Sequence, residues 1–123
     1  MVDGVKAGNN LVVDKSKAFA LRTIRLYQFL LKERREFVLS KQLVRSGTSI
    51  GANVREAIQG QSGKDFLAKM SIALKEAVES EYWLELLHEA EYLTDKEFGG
   101  VWADCNELVK LLTAIVKSTK DKI

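Results

Sequence analysis

Proline is absent, and cysteine and histidine each occur once in 123 residues. Without proline the chain lacks the residue that most strongly breaks helices. A lone cysteine, Cys105, excludes an internal disulfide. A lone histidine, His88, leaves Glu85-x-x-His88 without the second Glu-x-x-His that a di-iron bundle requires. No apolar run approaches the roughly 20 residues that cross a bilayer, so no membrane partner is expected. The opening residues, Met1 to Asn10, lack the apolar centre of a signal peptide, and a cytoplasmic location is expected. There is no Gly-rich phosphate loop, no Ser-His-Asp set and no multi-ligand metal cluster in the sequence.

What is present is helical in kind. Hydrophobic residues make up 46% and charged residues 29%, a mixture rich in Leu, Lys, Glu and Ala that favours an all-α protein. The length suits a single domain with its own core. Residues 1–13 contain Gly4, Gly8, Asn9 and Asn10 and read as a flexible lead-in. The first helix is expected from Asp14–Lys17 to Arg34, with Ala20, Ile24, Tyr27 and Leu31 as its apolar line, widened by Phe19, Leu26 and Leu30. Arg34 and Arg35 fall in its last turn, where cations complement the helix dipole. Ser40 is a candidate N-cap for a second helix from Lys41 to Gln59, which Gly60 and Gly63 end.

Ser62-Gly63-Lys64-Asp65 resembles a capping box. It opens a third helix that repeats Phe66, Met70, Ala73, Ala77, Ser80, Leu84 and Leu87 and runs to Tyr92. Thr94-Asp95-Lys96-Glu97 opens a fourth, with the seam Phe98, Val101, Cys105, Leu108, Leu112 and Ile115. Gly99-Gly100 predicts a loose first turn there. No period-two alternation suggests a sheet. The expected fold is an antiparallel up-down-up-down four-helix bundle over 14–119, with a tail at 120–123.

The least ordinary stretch is the second helix. Gly47 and Gly51 lie on one helical face close to Thr48, Ser49 and Ala52. Each glycine costs a helix interior about 1 kcal/mol relative to Ala, which a close backbone approach would explain. Gly47, Gly51 and Ala52 are therefore candidate close-packing residues, their partner a neighbouring helix.

The stretch from Gln42 to Ala57, QLVRSGTSIGANVREA, resembles the signature of bacterial 23S ribosomal RNA intervening-sequence proteins. The run Lys64-Asp65-Phe66, Ala73-Leu74-Lys75-Glu76-Ala77, Glu79 and Tyr82-Trp83-Leu84 is similar to that family's third helix, and the likeness extends from Lys15 to Lys117. The resemblance implies a four-helix bundle that forms ring-like homo-oligomers, usually pentamers. For most members no biochemical activity is established, and the residues themselves give no reason to expect a cofactor. Relatives include the strongly basic accessory protein of diversity-generating retroelements, which binds nucleic acid and a reverse transcriptase. The present chain departs from that pattern, with a net charge of only +2.

Net charge hides an asymmetry. Residues 1–60 hold eleven Lys/Arg against five Asp/Glu, and residues 61–123 hold eight against twelve. Arg22, Arg25, Phe29 and Lys32 share a face of the first helix, a candidate stripe for RNA or DNA phosphates with Phe29 stacking on a base. Arg45, Asn53, Glu56, Lys75 and Glu79 are candidates for an inter-helix polar network that sets register. Trp83, Trp102, Val109 and Val116 lie outside the main seams and are candidate oligomer-interface residues. Cys105 is expected to be a buried structural thiol and His88 a rim residue. The functional expectation is a non-enzymatic homo-oligomeric scaffold that contacts nucleic acid through the first helix. The alternative is a protein–protein interaction module without nucleic acid; the third reading is a metal-binding helical-bundle enzyme.

Overall fold

The computed structural model describes residues 3–123, with side chains from Asn10 onward. Four helices follow one another: α1 (Asp3–Phe29), α2 (Leu39–Ile58), α3 (Gly63–Glu89) and α4 (Asp95–Lys122). They form an all-α, antiparallel up-down-up-down bundle. In cross-section the helices stand in the order α1, α2, α3, α4, and α4 closes back on α1. The antiparallel sense is visible in the side-chain partners. Glu97, Asp104 and Glu107 of α4 meet Arg34, Arg22 and Lys15 in that order, and Arg45 and Glu56 of α2 meet Glu79 and Lys69 of α3. Among the described residues no helix is long and apolar enough to cross a membrane.

The first helix starts at Asp3 rather than at Asp14, and Val12 is fully buried. Of the lead-in expected at 1–13, residues 1–2 lie outside the described residues. At its other end α1 runs into a π-helical turn, Leu30–Arg34, closed by Arg35 at φ 55°. Arg35 thus caps the helix in the left-handed conformation, while Arg34 is drawn away to α4.

The core-facing line of α1 also differs from the expected one. Val12, Ser16, Phe19, Thr23 and Leu30 are buried, whereas Ile24 is 37% exposed and Ala20, Tyr27 and Leu31 are half-buried. Ser16 donates its hydroxyl to the Val13 carbonyl at 3.2 Å and Thr23 donates to Ala20 at 2.8 Å. With the hydroxyls satisfied inside the helix, these residues enter the core at little polar cost. Their size suits α2. A Cβ on Gly47 would come within 2.7–3.0 Å of the Thr23 side chain, and one on Gly51 within 3.4 Å of Ser16. Ala52 points outward and is exposed.

The start of α2 is held by Glu36, not by Ser40. The buried Glu36 carboxylate accepts from the amides of Val38, Leu39 and Ser40 at 3.1, 2.9 and 2.7 Å, and the Ser40 hydroxyl donates back to the Glu36 carbonyl at 2.8 Å. Burial pushes the Glu36 carboxyl up, but these amides outweigh it and hold it below the ordinary carboxylate value. The other two starts follow the sequence pattern. Ser62 accepts from Asp65, and Thr94 with Glu97 forms a complete capping box.

α3 ends at Glu89, three residues before Tyr92, and α4 continues through Lys122 instead of ending in a tail. Gly99 and Gly100 lie in regular helix. A Cβ on Gly100 would sit 2.7 Å from Arg22 Nη2, so this glycine seats a guanidinium. The core gathers Leu43, Ile50 and Val54 of α2, Met70, Ala73, Ala77, Leu84 and Leu87 of α3, and Val101, Cys105, Leu108, Leu112 and Val116 of α4. Phe98 and Ile115, expected in the α4 seam, are only half-buried.

Candidate functional site

The surface divides by the sides of the square. On the α1/α4 side, Lys15 meets Glu107 at 3.0 Å and Arg22 meets Asp104 at 2.6 Å. Arg34 reaches Glu97 through both terminal nitrogens, at 3.0 and 2.8 Å, and donates to the Tyr92 carbonyl at 2.7 Å. The Arg34 hydrogen bond, with the Thr94 amide, holds the Glu97 carboxyl down to about 2. Exposed pairs of this kind contribute at most about 1 kcal/mol each, but they neutralise the cations that take part.

This bears on the candidate stripe Arg22, Arg25, Phe29 and Lys32. Arg22 is committed to Asp104, and Phe29 is half-buried with the Arg34 guanidinium 4.8 Å from its ring centre. Arg25 and Lys32 are exposed and take part in no ion pair among the described residues. Arg22, Arg25, Leu26 and Phe29 of α1 line a shallow cleft with Glu97 and Val101 of α4.

The α2/α3 side is polar too. Arg45 pairs with Glu79 and lies 3.6 Å from Glu76, and Gln42 accepts from it at 3.4 Å. Glu79 also accepts from the Trp83 indole at 3.1 Å, so Trp83 belongs to this polar side. Lys69 pairs with Glu56 at 3.0 Å. Arg45 and Glu56 share a helix face but stand eleven residues apart, about 16 Å along the axis, too far for contact. Asn53 donates to the Ser49 carbonyl of its own helix at 2.9 Å, and Lys75 is exposed and makes no ion pair among the described residues. Of the candidate network, the structure joins Arg45 to Glu79 and separates the rest.

A contact that sequence reasoning missed lies beneath Arg45. Ser46 and Ser80 are fully buried with their hydroxyls 2.7 Å apart. Ser80 donates to the Glu76 carbonyl at 2.9 Å, which leaves its oxygen to accept from Ser46. Serine at a seam position facing a small-residue stretch was the available signal.

On the remaining two sides, α1/α2 and α3/α4, no Lys/Arg–carboxylate pair joins the helices among the described residues. Ile24 lies two residues and so about 200° beyond Arg22 on α1; since Arg22 faces α4, Ile24 faces out beside α2. It shares that flank with Leu21, Tyr27 and Leu31, and Leu21 is 43% exposed. On α3, Val78 and Tyr82 are 50% and 53% exposed. Beside them on α4, Trp102 and Val109 are half-buried against the core. Val116, a candidate interface residue, is only 8% exposed within its own bundle. The Trp102 indole nitrogen is buried and has no hydrogen-bond partner among the described residues.

The two side chains with inherent chemistry are both occupied. His88 stacks on Phe98 at 4.2 Å between ring centres, and its Nε2 lies 2.6 Å from Asp95. Cys105 is fully buried and donates to the Ala77 carbonyl at 3.3 Å. Burial, and then the charges of Glu81 and Asp104, push its thiol far up, so it stays protonated and unreactive at neutral pH. Among the described residues no group of three or more His, Cys, Asp or Glu is placed to hold a metal ion.

The class that fold and surface define is a helical-bundle protein with Lys/Arg–carboxylate pairs across two of its sides and, among the described residues, none across the other two. Residues 8–114 match the family described as 23S rRNA-intervening sequence protein, and the chain belongs to that family. Among solved structures it is similar to a protein with unknown function from the S23 ribosomal protein family of Bacteroides thetaiotaomicron. The two share 55% identity and a TM-score of 0.87 over 89% of this chain and 98% of the other. No curated protein matches the chain. Neither the family description nor that of the solved relative denotes an enzyme.

Proposed function

We propose that this chain is a non-enzymatic assembly protein whose working form is a homo-oligomer. One observation carries the reading: two of the four sides of the bundle leave apolar side chains exposed, with Leu21 and Ile24 on one and Val78 and Tyr82 on the other. The remaining two sides are laced with ion pairs, though each also exposes one aliphatic side chain, Leu11 on the Lys15 and Arg22 face of α1 and Ile72 among Lys69, Glu76 and Glu79 on α3. Aliphatic side chains left uncovered side by side on a helix flank are what packed copies would cover. The family resemblance sets the expected number at five. Native mass measurement tests this: a multimer, five chains by the resemblance, is expected, and a single-chain mass at micromolar concentration ends the reading.

Nucleic-acid contact is the second reading. It is supported by Arg25 and Lys32, which stay exposed on α1 while Arg22 and Arg34 are paired. Repetition around an oligomer multiplies such a weak patch. Binding to RNA or DNA would then weaken steeply with salt, the logarithm of affinity falling by roughly 0.7–0.9 per phosphate contact for each decade. Salt-independent retention, or none at low salt, removes this reading and leaves a module that contacts protein alone.

A further inference from the structure

We propose that the loop between α1 and α2 is a docking point for a second protein, and that it takes a short segment in which apolar side chains stand beside acidic ones. This contact lies at one end of the bundle and holds whether or not copies of the chain assemble and whether or not nucleic acid binds. Val38 is 70% exposed, the most of any large apolar side chain among the described residues, and Phe37 beside it is 56% exposed. The next residue, Leu39, packs against the core, so the chain turns inward directly after this pair. Phe37 and Val38 therefore stand out together at the end of the bundle.

The backbone that presents them is fixed. The Glu36 amide donates to the Leu30 carbonyl at 3.1 Å, and Arg35 just before it holds the left-handed conformation. The Glu36 carboxylate accepts from the amides of Val38, Leu39 and Ser40. Arg34 ties the same segment to the chain between α3 and α4 through the Tyr92 carbonyl. A surface that is already ordered loses little conformational freedom on binding. Aromatic side chains and arginine are also the groups enriched where proteins meet, and the Arg35 guanidinium lies 5.9 Å from the centre of the Phe37 ring.

Charge narrows the partner. Between Leu31 and Lys41 the ionisable side chains are Lys32, Glu33, Arg34, Arg35, Glu36 and Lys41. Arg34 is committed to Glu97 and Glu36 to the amides of α2. That leaves Lys32, Arg35 and Lys41 exposed against Glu33, none of them in an ion pair among the described residues. Lys41 follows Val38 by three residues, in the first turn of α2. The apolar pair thus has a cationic border, which carboxylates beside an apolar anchor complement. An anionic bilayer fits less well. Glu89 and Glu91 are exposed at the same end of the bundle, and a flat membrane surface would press on them together with the cations. A short protein segment meets the α1–α2 loop alone. A nucleic-acid strand would use the cations and the Phe37 ring but leave Val38 without a role.

Photocrosslinking in the cell that makes this protein tests the contact. Phe37→p-benzoylphenylalanine extends the exposed ring into solvent, and Gln61→p-benzoylphenylalanine places the same group at the opposite end of the bundle as a control. Mass spectrometry of the joined peptides is expected to show position 37 attached to a segment of another protein that carries apolar residues beside Asp or Glu. Adding Arg35→Glu and Lys41→Glu is expected to lower that yield several-fold. Val38→p-benzoylphenylalanine repeats the test if the first variant loses its helical circular dichroism, and Lys41→Glu alone does so if Arg35→Glu disturbs the left-handed cap. A captured protein supports the contact only with both the acidic segment and the charge dependence. Products joined to lipid, to nucleic acid or to a second copy of this chain overturn it. So do a segment without carboxylates, a yield indifferent to the charge exchange, and no product beyond that at Gln61.

Discussion

α2 meets its neighbours through Gly47, Gly51 and Ser46, set against Thr23, Ser16 and Ser80. α4, diagonally across the bundle, meets its own through Val101, Cys105, Leu108, Leu112 and Val116. The two helices reach similar burial by opposite means. On α4 the contact is made by aliphatic volume, and stability comes from apolar area removed from water. On α2 the side chains are reduced until backbones approach, and the hydroxyls facing them are satisfied locally. A packing made of volume is damaged by subtraction, and a packing made of closeness by addition.

The strongest test of that contrast is a pair of substitutions in opposite directions. Leu108→Ala, at a side chain 1% exposed, is expected to cost about 2–5 kcal/mol through lost transfer energy and a residual cavity. Gly47→Ala improves intrinsic helix propensity by about 1 kcal/mol. It nevertheless places a methyl 2.7–3.0 Å from the branched Thr23 side chain, which cannot swing away as a long flexible one would. A net destabilisation of roughly 1–2 kcal/mol is expected from overpacking. Urea unfolding measures both, and a stabilised Gly47→Ala variant would break the comparison.

Acid should act on both halves, but through different carboxylates. Glu36 caps α2, and Glu97 ties the start of α4 to Arg34. Both carboxyls lie below their ordinary value of 4.5, Glu97 at about 2. Each is charged more readily in the folded chain, so its contribution is full above the unfolded-state value and is lost as pH falls through the folded one. Stability should hold above pH 5 and decline steadily toward pH 2. Glu36→Gln is expected to cost about 1–2 kcal/mol near neutrality and to flatten that decline, which unfolding curves at several pH values would check.

The smallest effects concern glycines where an added methyl meets open space or ordinary contact. Among the described residues nothing lies within 4 Å of a Cβ added to Gly99, and Gly99→Ala should stabilise α4 by roughly 0.5–1 kcal/mol. Gly51→Ala meets Ser16 at 3.4 Å, an ordinary contact, and should lie within about 0.5 kcal/mol of the parent or slightly above it. If Gly51→Ala proves as damaging as Gly47→Ala, closeness runs along the whole α1/α2 contact and not only at Thr23.

These contrasts show where the sequence was legible. The α4 seam could be read from periodicity because volume and hydrophobicity coincide there, and only its ends shifted, with Val116 buried where Ile115 had been expected. α1 misled for the opposite reason. Its strongest apolar line, Ala20, Ile24, Tyr27 and Leu31, turned to the outer flank. The line that packs contains Ser16 and Thr23, whose fit depends on glycines more than twenty residues away. Among polar candidates, Arg45 and Glu79 met because both lie where α2 faces α3. Glu56 found Lys69 instead, and Asn53 turned to its own backbone. Helical phase was readable, but which residue of a neighbouring helix stood opposite was not.

By itself the sequence determined the helical class, four amphipathic segments, two of the helix starts and the family to which the chain belongs. Those are local properties of capping, periodicity and residue pattern, complete within a few turns of chain. Only the tertiary structure decided which flank of each helix is covered, and so which cations are spent on carboxylates and which side chains remain free for a partner. Such choices depend on the rotation of each helix against the next, which long-range packing sets and no single helix encodes.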